Sequence, residues 1–265
     1  MARDDRIRDL VDRLELPFNS LGIDPYGISK KHLVVFFGAL GFLYRHYFRV
    51  KCHGTEHVPK QGRAMVIGNH SGGVAFDGAM VLTSLFLEMD PPRLASAMAE
   101  KFINKLPISS LWSARTGQFT GLPEHALRLL EDDRVLIVFP EGARGTAKLY
   151  KERYSMVDFG TGFMRLALKT KTPIVPCGFL GGGAAFPTIV NLPGKMFGVP
   201  YIPLTAYLAP VPLPVPLEVH YGEAMHFVGT GNEDDAVING YVGQVKSRIA
   251  QLIDAGRAAR KRGRS

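Results

Sequence analysis

The chain has 265 residues, 46% of them hydrophobic, and 32 Lys and Arg against 24 Asp and Glu, for a net charge of +8. That length supports one large domain, or one domain with a small appendage, around a sizeable core. Cys52 and Cys177 lie far apart with no metal-ligand or redox spacing, which excludes structural zinc and leaves two reduced thiols of a cytosolic protein.

The first residues, "MARDDRIRDLVDRLEL", are charged throughout and lack the apolar core of a signal peptide. Ile7, Leu10, Val11 and Leu14 recur at helical spacing, which predicts an amphipathic helix. Pro and Gly break the pattern over 16–27, and a second helix is expected from Ser29, a good N-cap residue. Its apolar run, His32 to Tyr44, is too short for the roughly 20 residues that span a bilayer. Lys30, Lys31, Arg45, His46 and Arg49 flank it, so it suits either a membrane interface or a buried core helix. Residues 1–49 read as an N-terminal helical appendage and possible membrane-interface anchor, 50–255 as the main domain and 256–265 as a basic tail.

From Val50 onward strands alternate with helices. "AMVIG", "RLASAMA", "RVLIVF" and "PIVPCGFL" are apolar strand patterns, separated by helical patterns around 78–87, 123–133 and 159–171. This order predicts an α/β fold with a mainly parallel central sheet flanked by helices. Residues 186–216 are dense in Pro and apolar side chains, a composition that forbids a regular helix or a central strand. Such a segment needs a cover: the protein's own core, a lipid chain or a membrane surface. A strand at "LEVHYGEAM" and a final helix over 234–255 complete the chain. The tail "GRAARKRGRS" reads either as a solvated end or as a polyanion contact; no nucleic-acid motif accompanies it, so nucleic acid is an unlikely partner.

Two strand ends carry the chemistry. "GNHSGGVAFDGAM" follows one strand and "FPEGARGTAK" another, and in a parallel sheet both face the carboxyl edge, where ligands bind. His70 suits proton abstraction near neutral pH, and a carboxylate at Asp77 would fix its tautomer. Gly72 and Gly73 permit close backbone approach to a substrate. Arg144 suits a phosphate or carboxylate, or pairs with Glu141 in a turn. Lys148, Lys151 and Arg153 are a basic cluster facing either an anionic headgroup or water, and His220 and His226 read as structural. No Gly-x-Ser-x-Gly elbow is present and neither Cys adjoins a His, so the hydroxyl to be activated is the substrate's.

Together "NHSGGVAFD", "FPEGARG" and "PIVPC" resemble the blocks of the glycerolipid (lysophosphatidic-acid-acyltransferase-like) acyltransferase superfamily, over roughly 50–227. The "HSGG" step, "FGTGFMRLAL" and the Pro-rich segment are most similar to its monoacylglycerol/diacylglycerol-acyltransferase-like branch. The resemblance implies a membrane-associated O-acyltransferase of lipid metabolism. His70 would be its general base and Asp77 would orient that base. Asn69, Ser71, Gly72, Gly73, Phe139, Pro140, Glu141, Gly142 and Arg144 would line the substrate site. It implies an acyl-CoA or acyl carrier protein thioester as co-substrate, a glycerolipid acceptor, and no metal or bound cofactor. It also implies an anionic membrane surface as partner, with peripheral or monotopic attachment at the cytoplasmic face. A hydrolase using the same dyad, or a catalytically silent lipid-binding protein, are the alternatives. The family's usual spacing has four residues between His and Asp, whereas here there are six. The family's intermediate basic block is matched only loosely by "ARTGQFTGLPEHA", with Arg115 as its candidate.

Overall fold

A computed structural model describes residues 2–71, 76–99, 113–120, 123–194, 201–209 and 211–263. In chain order its strands are β1 (Lys51–His53), β2 (Ala64–Gly68), β3 (Ala95–Ala99), β4 (Phe119–Thr120), β5 (Val135–Val138), β6 (Ile174–Leu180), β7 (Thr188–Pro193), β8 (Tyr201–Thr205) and β9 (Glu218–Tyr221). Seven of these form one sheet in the order β1-β9-β6-β2-β5-β3-β4. Every neighbouring pair is parallel except β6–β9, so the sheet is mixed and mainly parallel, as the strand–helix alternation predicts. β2 lies between β5 and β6 and runs parallel to both, so the segments following these three strands emerge at one edge.

Helices cover both faces. Strand geometry sends alternate side chains to opposite sides, and "AMVIG" obeys it. Ala64 and Val66 join a core with Leu33, Phe37, Leu85 and Phe86, from α2 (Lys30–Phe42) and α3 (Phe76–Glu88). Met65 and Ile67 join a second core with Leu130, Met164 and Ile249. That second layer is built from α4 (Pro123–Glu131), α6 (Gly162–Thr170) and α8 (Asp235–Arg262). All five residues of β2 are buried, which explains why the strand is apolar throughout.

The N-terminal helices pack against the first core. Ile7, Leu10, Val11 and Leu14, on and just after α1 (Ala2–Asp12), belong to the first core with Leu33 and Phe37 of α2. Phe37 stacks on Phe86 with ring centroids 3.8 Å apart. Burying one such ring contributes about 1.5–3 kcal/mol. The apolar run His32 to Tyr44 is therefore a core helix on one side. Its other side keeps Val35 and Phe42 half exposed, at 56% and 48%.

Two further segments depart from expectation. The Pro-dense stretch contains strands after all: β7 and β8 pair antiparallel as a ribbon outside the main sheet. A two-stranded ribbon has only edge strands, so Pro193 and Pro203 are tolerated there. The final helix does not stop at Ala255 but runs to Arg262, so most of the basic tail is helical. Gly256 is a packing residue in that helix, since a Cβ there would lie 2.8 Å from Nε2 of His220.

Candidate active site

Three segments at the carboxyl edge build the site. The first leaves β2 at Gly68. The Asn69 side chain binds the Phe179 backbone in both directions: Nδ2 donates to the carbonyl at 3.1 Å, and Oδ1 accepts the N–H at 2.8 Å. This prolongs the β2–β6 pairing by one side chain and fixes where His70 begins. His70 is 8% exposed, and its Nδ1 lies 2.9 Å from Oδ2 of Asp77. The six-residue spacing thus still brings the two side chains together. Gly72 and Gly73 lie outside the described residues.

Asp77 sits in the first turn of α3, 2% exposed. Burial pushes its carboxyl up. That is outweighed by the charge and hydrogen bond of His70 and by the backbone N–H groups of Ser71 and Gly78, so its pKa falls below the ordinary value. An ionised Asp77 holds the proton on Nδ1 and leaves Nε2 as a bare acceptor. The His70 ring lies nearly parallel to Phe139, centroids 4.3 Å apart, which fixes its plane. Gly68 makes room for this stack, because a Cβ there would be 2.8 Å from the Phe139 ring.

The second segment follows β5. Glu141 is 2% exposed and points inward. It accepts the His70 backbone N–H at 2.8 Å, the Lys148 ammonium at 2.9 Å and the Val157 N–H at 2.8 Å. Lys148 is itself buried and also donates to the Ser155 carbonyl at 2.9 Å. Both sequence readings of these residues need correction. Glu141 pairs with Lys148, not with Arg144, and Lys148 is no part of a solvated or headgroup-facing cluster. Arg144 is exposed and donates to the Asp158 carbonyl at 3.0 Å. Pro140 accepts the Gly160 N–H through its carbonyl. Gly142 has φ of +56°, a conformation that side chains rarely adopt. Arg115 does not join the site: its guanidinium donates to the Gly27 carbonyl at 3.2 Å.

The third segment, after β6, had not been singled out. Gly182 and Gly183 open the short helix α7 (Gly182–Ala185) and press on Ser71. Gly145, in α5 (Ala143–Thr146), was missed too. A Cβ there would lie 2.6 Å from Cβ of Glu141 and 2.8 Å from Cβ of His70. Gly145→Ala should therefore push apart the base and its anchor, and cut turnover about tenfold or more for a displacement on the order of 1 Å. Thermal unfolding beside a transfer assay separates this from simple instability, because turnover should fall even well below the melting transition.

No thiol competes as nucleophile. Burial pushes Cys52 up to about 12 and Cys177 well above its usual value, so both stay protonated. Among the described residues, His53, Glu218 and His220 are a group with metal-ligating atoms close together, within 4.8 Å. Arg260 holds Glu218 at 2.7 Å and His220 donates to it at 2.9 Å, so an ion-pair network accounts for the group.

The edge thus carries a buried His70–Asp77 pair, and both cysteine thiols are held protonated by burial. Residues 49–180 match the family model described as Acyltransferase, and the chain belongs to that family. An uncharacterized protein of Mycobacterium tuberculosis (strain H37Rv) is 33% identical over 226 residues, covering 81% of this chain and 63% of its own length. The chain therefore spans less than two thirds of that relative. A Bos taurus protein named DGAT1/2-independent enzyme synthesizing storage lipids is 29% identical over 126 residues, 47% of this chain and 36% of its own. The crystal structure of the 1-acyl-sn-glycerophosphate acyltransferase PlsC from Thermotoga maritima shares the fold. Its TM-score is 0.58 at 17% identity, over 86% of this chain and 82% of its own.

Proposed function

We propose that the protein moves a fatty acyl group from an acyl thioester, on coenzyme A or acyl carrier protein, to a hydroxyl of a glycerolipid such as a lysophospholipid or a mono- or diacylglycerol. The observation that carries this reading is the buried His70–Asp77 pair, whose Nε2 has no hydrogen-bond partner among the described residues. In the reaction, Nε2 takes the proton of the acceptor hydroxyl as its oxygen attacks the thioester carbon. The O–C bond forms, the C–S bond breaks, and the departing thiolate takes the proton from the imidazolium. The step calls for no metal and no resident cofactor.

The surface near the site suits a lipid acceptor. Ile189, Val190 and Leu192 of the ribbon are 55%, 42% and 43% exposed, and Leu208 and Val211 after it are 77% and 58% exposed. The ribbon is tied to the site segment by Asn191, which donates to the Ala147 carbonyl at 2.6 Å. The apolar loop joins α7 through the Leu213 N–H, 2.7 Å from the Ala185 carbonyl. No helix among the described residues is long and apolar enough to cross a membrane. This surface and the +8 charge favour peripheral docking on an anionic bilayer at the cytoplasmic face. Changing Ile189 and Leu208 together to Glu is expected to weaken sedimentation with phosphatidylglycerol vesicles about tenfold or more.

The test of function offers labelled long-chain acyl-CoA and acyl-loaded carrier protein to the purified protein in anionic vesicles, with a panel of glycerolipid acceptors. Acylated product made by wild type and not by His70→Ala supports the reading. Free fatty acid as the only product, made by wild type alone, would replace it with a thioester hydrolase.

A further inference from the structure

The segment from Tyr150 to Tyr154 and the C-terminal end of α8 meet beside the site, and nothing in the transfer chemistry uses them. The Arg153 guanidinium lies over the Tyr150 ring at 4.0 Å and over the Tyr154 ring at 4.9 Å. Arg257 lies over the Tyr154 ring at 4.3 Å. The result is a ladder of alternating rings and cations. Arg153 donates to the Tyr150 carbonyl at 2.7 Å and has no carboxylate partner among the described residues. Arg257 has only a surface contact with Asp254 at 3.1 Å on its own helix. Tyr150, at one end of the ladder, is 42% exposed.

The ladder stands at the catalytic edge. A Cβ on Gly183 would collide with Cβ of Arg153 and lie 3.1 Å from the carbonyl oxygen of Ser71, the residue after the base. The helix arrives at the same edge because it packs along β6. Gly178 meets Leu252, and Arg260, two turns further on, donates to the carbonyls of Leu180 and Pro216. The C-terminal end of α8 thus lies beside the site, where Arg153 and Arg257 flank the Tyr154 ring.

We infer that the Arg153–Tyr154–Arg257 ladder binds the phosphorylated adenosine end of coenzyme A, and so selects a nucleotide-bearing thioester as donor. This rests on the transferase reading above. Arg153, which has no carboxylate partner among the described residues, and Arg257, paired only with the exposed Asp254, offer guanidinium groups that suit phosphates. The interleaved rings separate the donor from the alternative source of phosphate. A base has a π-face to stack on an exposed tyrosine, and a phospholipid headgroup has none.

The experiment measures equilibrium binding of coenzyme A to the full-length protein by calorimetry, with pantetheine and phosphatidylglycerol vesicles as comparison ligands. Wild type is set against Arg153→Gln and Arg257→Gln, two partly exposed sites whose folding is checked by thermal unfolding. Coenzyme A binding should weaken about tenfold or more in each variant, as for loss of a charge-assisted contact. Vesicle binding should not follow it. In the transfer assay, the preference of kcat/KM for acyl-CoA over acyl-pantetheine should fall towards one. The inference is overturned if wild type binds coenzyme A no better than pantetheine. It is equally overturned if the variants lose vesicle binding and keep coenzyme A, or if transfer occurs from acyl carrier protein alone. Binding that behaves as expected without any transfer would retain the nucleotide site and remove the transferase reading instead.

Discussion

His70→Ala is expected to lower acyl transfer by about 10²–10⁴-fold, the range that a positioned general base contributes. The side chain is almost buried, 8% exposed, so alanine also leaves a gap beneath Phe139. The sharper variant is Asp77→Asn. Its amide can offer an N–H to Nδ1, which would place the imidazole proton on Nε2 and remove the acceptor that the reaction needs. Loss of about 10²–10⁴ with little change in KM for the acceptor is the expected outcome. The same pair predicts a pH dependence of stability. The folded-state pKa of Asp77 lies below its ordinary value, so its contribution is present above that ordinary value, about 3.9, and is lost as pH falls through the folded value. Urea midpoints of wild type should therefore drop on acidification by more than those of Asp77→Asn. Equal drops, or an Asp77→Asn enzyme with full activity, would refute the assigned role of the carboxylate.

The largest effect on stability is expected at Glu141 and Lys148. Their side chains are 0% and 3% exposed, so each charge depends on the other. Removing one partner of a buried pair costs about 3–5 kcal/mol, because the survivor is left uncompensated. Glu141→Ala also frees the backbone N–H groups of His70 and Val157. Lys148→Met spares those two bonds, so it should be as destabilising but less damaging to turnover. In the double variant Glu141→Ala with Lys148→Met no charge of the pair remains buried, and the loss should be smaller than the sum of the single losses. Urea denaturation of the four proteins measures that coupling. Strict additivity would mean that the pair is not a unit.

The sheet and the dyad were legible because both are local in sequence. Apolar runs such as "AMVIG" and "VLIV" announce strands buried on both faces, and the turn residues after them mark the edge where His70 and Glu141 emerge. Lys148 was not legible, because a lysine in a Gly-rich, basic stretch is ordinarily solvated. Only the inward turn of Glu141 makes its burial favourable. Gly256 looked like the end of a helix. It is small because His220 presses on α8 there, a reason that lies 36 residues away in sequence. What covers the N-terminal helices was not legible, because apolar composition does not reveal its partner. Phe37 found Phe86 within the same core.

The hydrogen bond from the His70 backbone to Glu141 gives the site a built-in reporter. In a strand interior an amide proton is shielded by its neighbour's carbonyl and exchanges with solvent when the sheet opens. The His70 amide is instead shielded by a carboxylate that also holds Lys148 and the Val157 amide. Its exchange with deuterium is governed by how often that clasp releases, and the Val157 amide shares the same opening event. Matched protection of two amides 87 positions apart would report His70 and the loop beside it moving as one body.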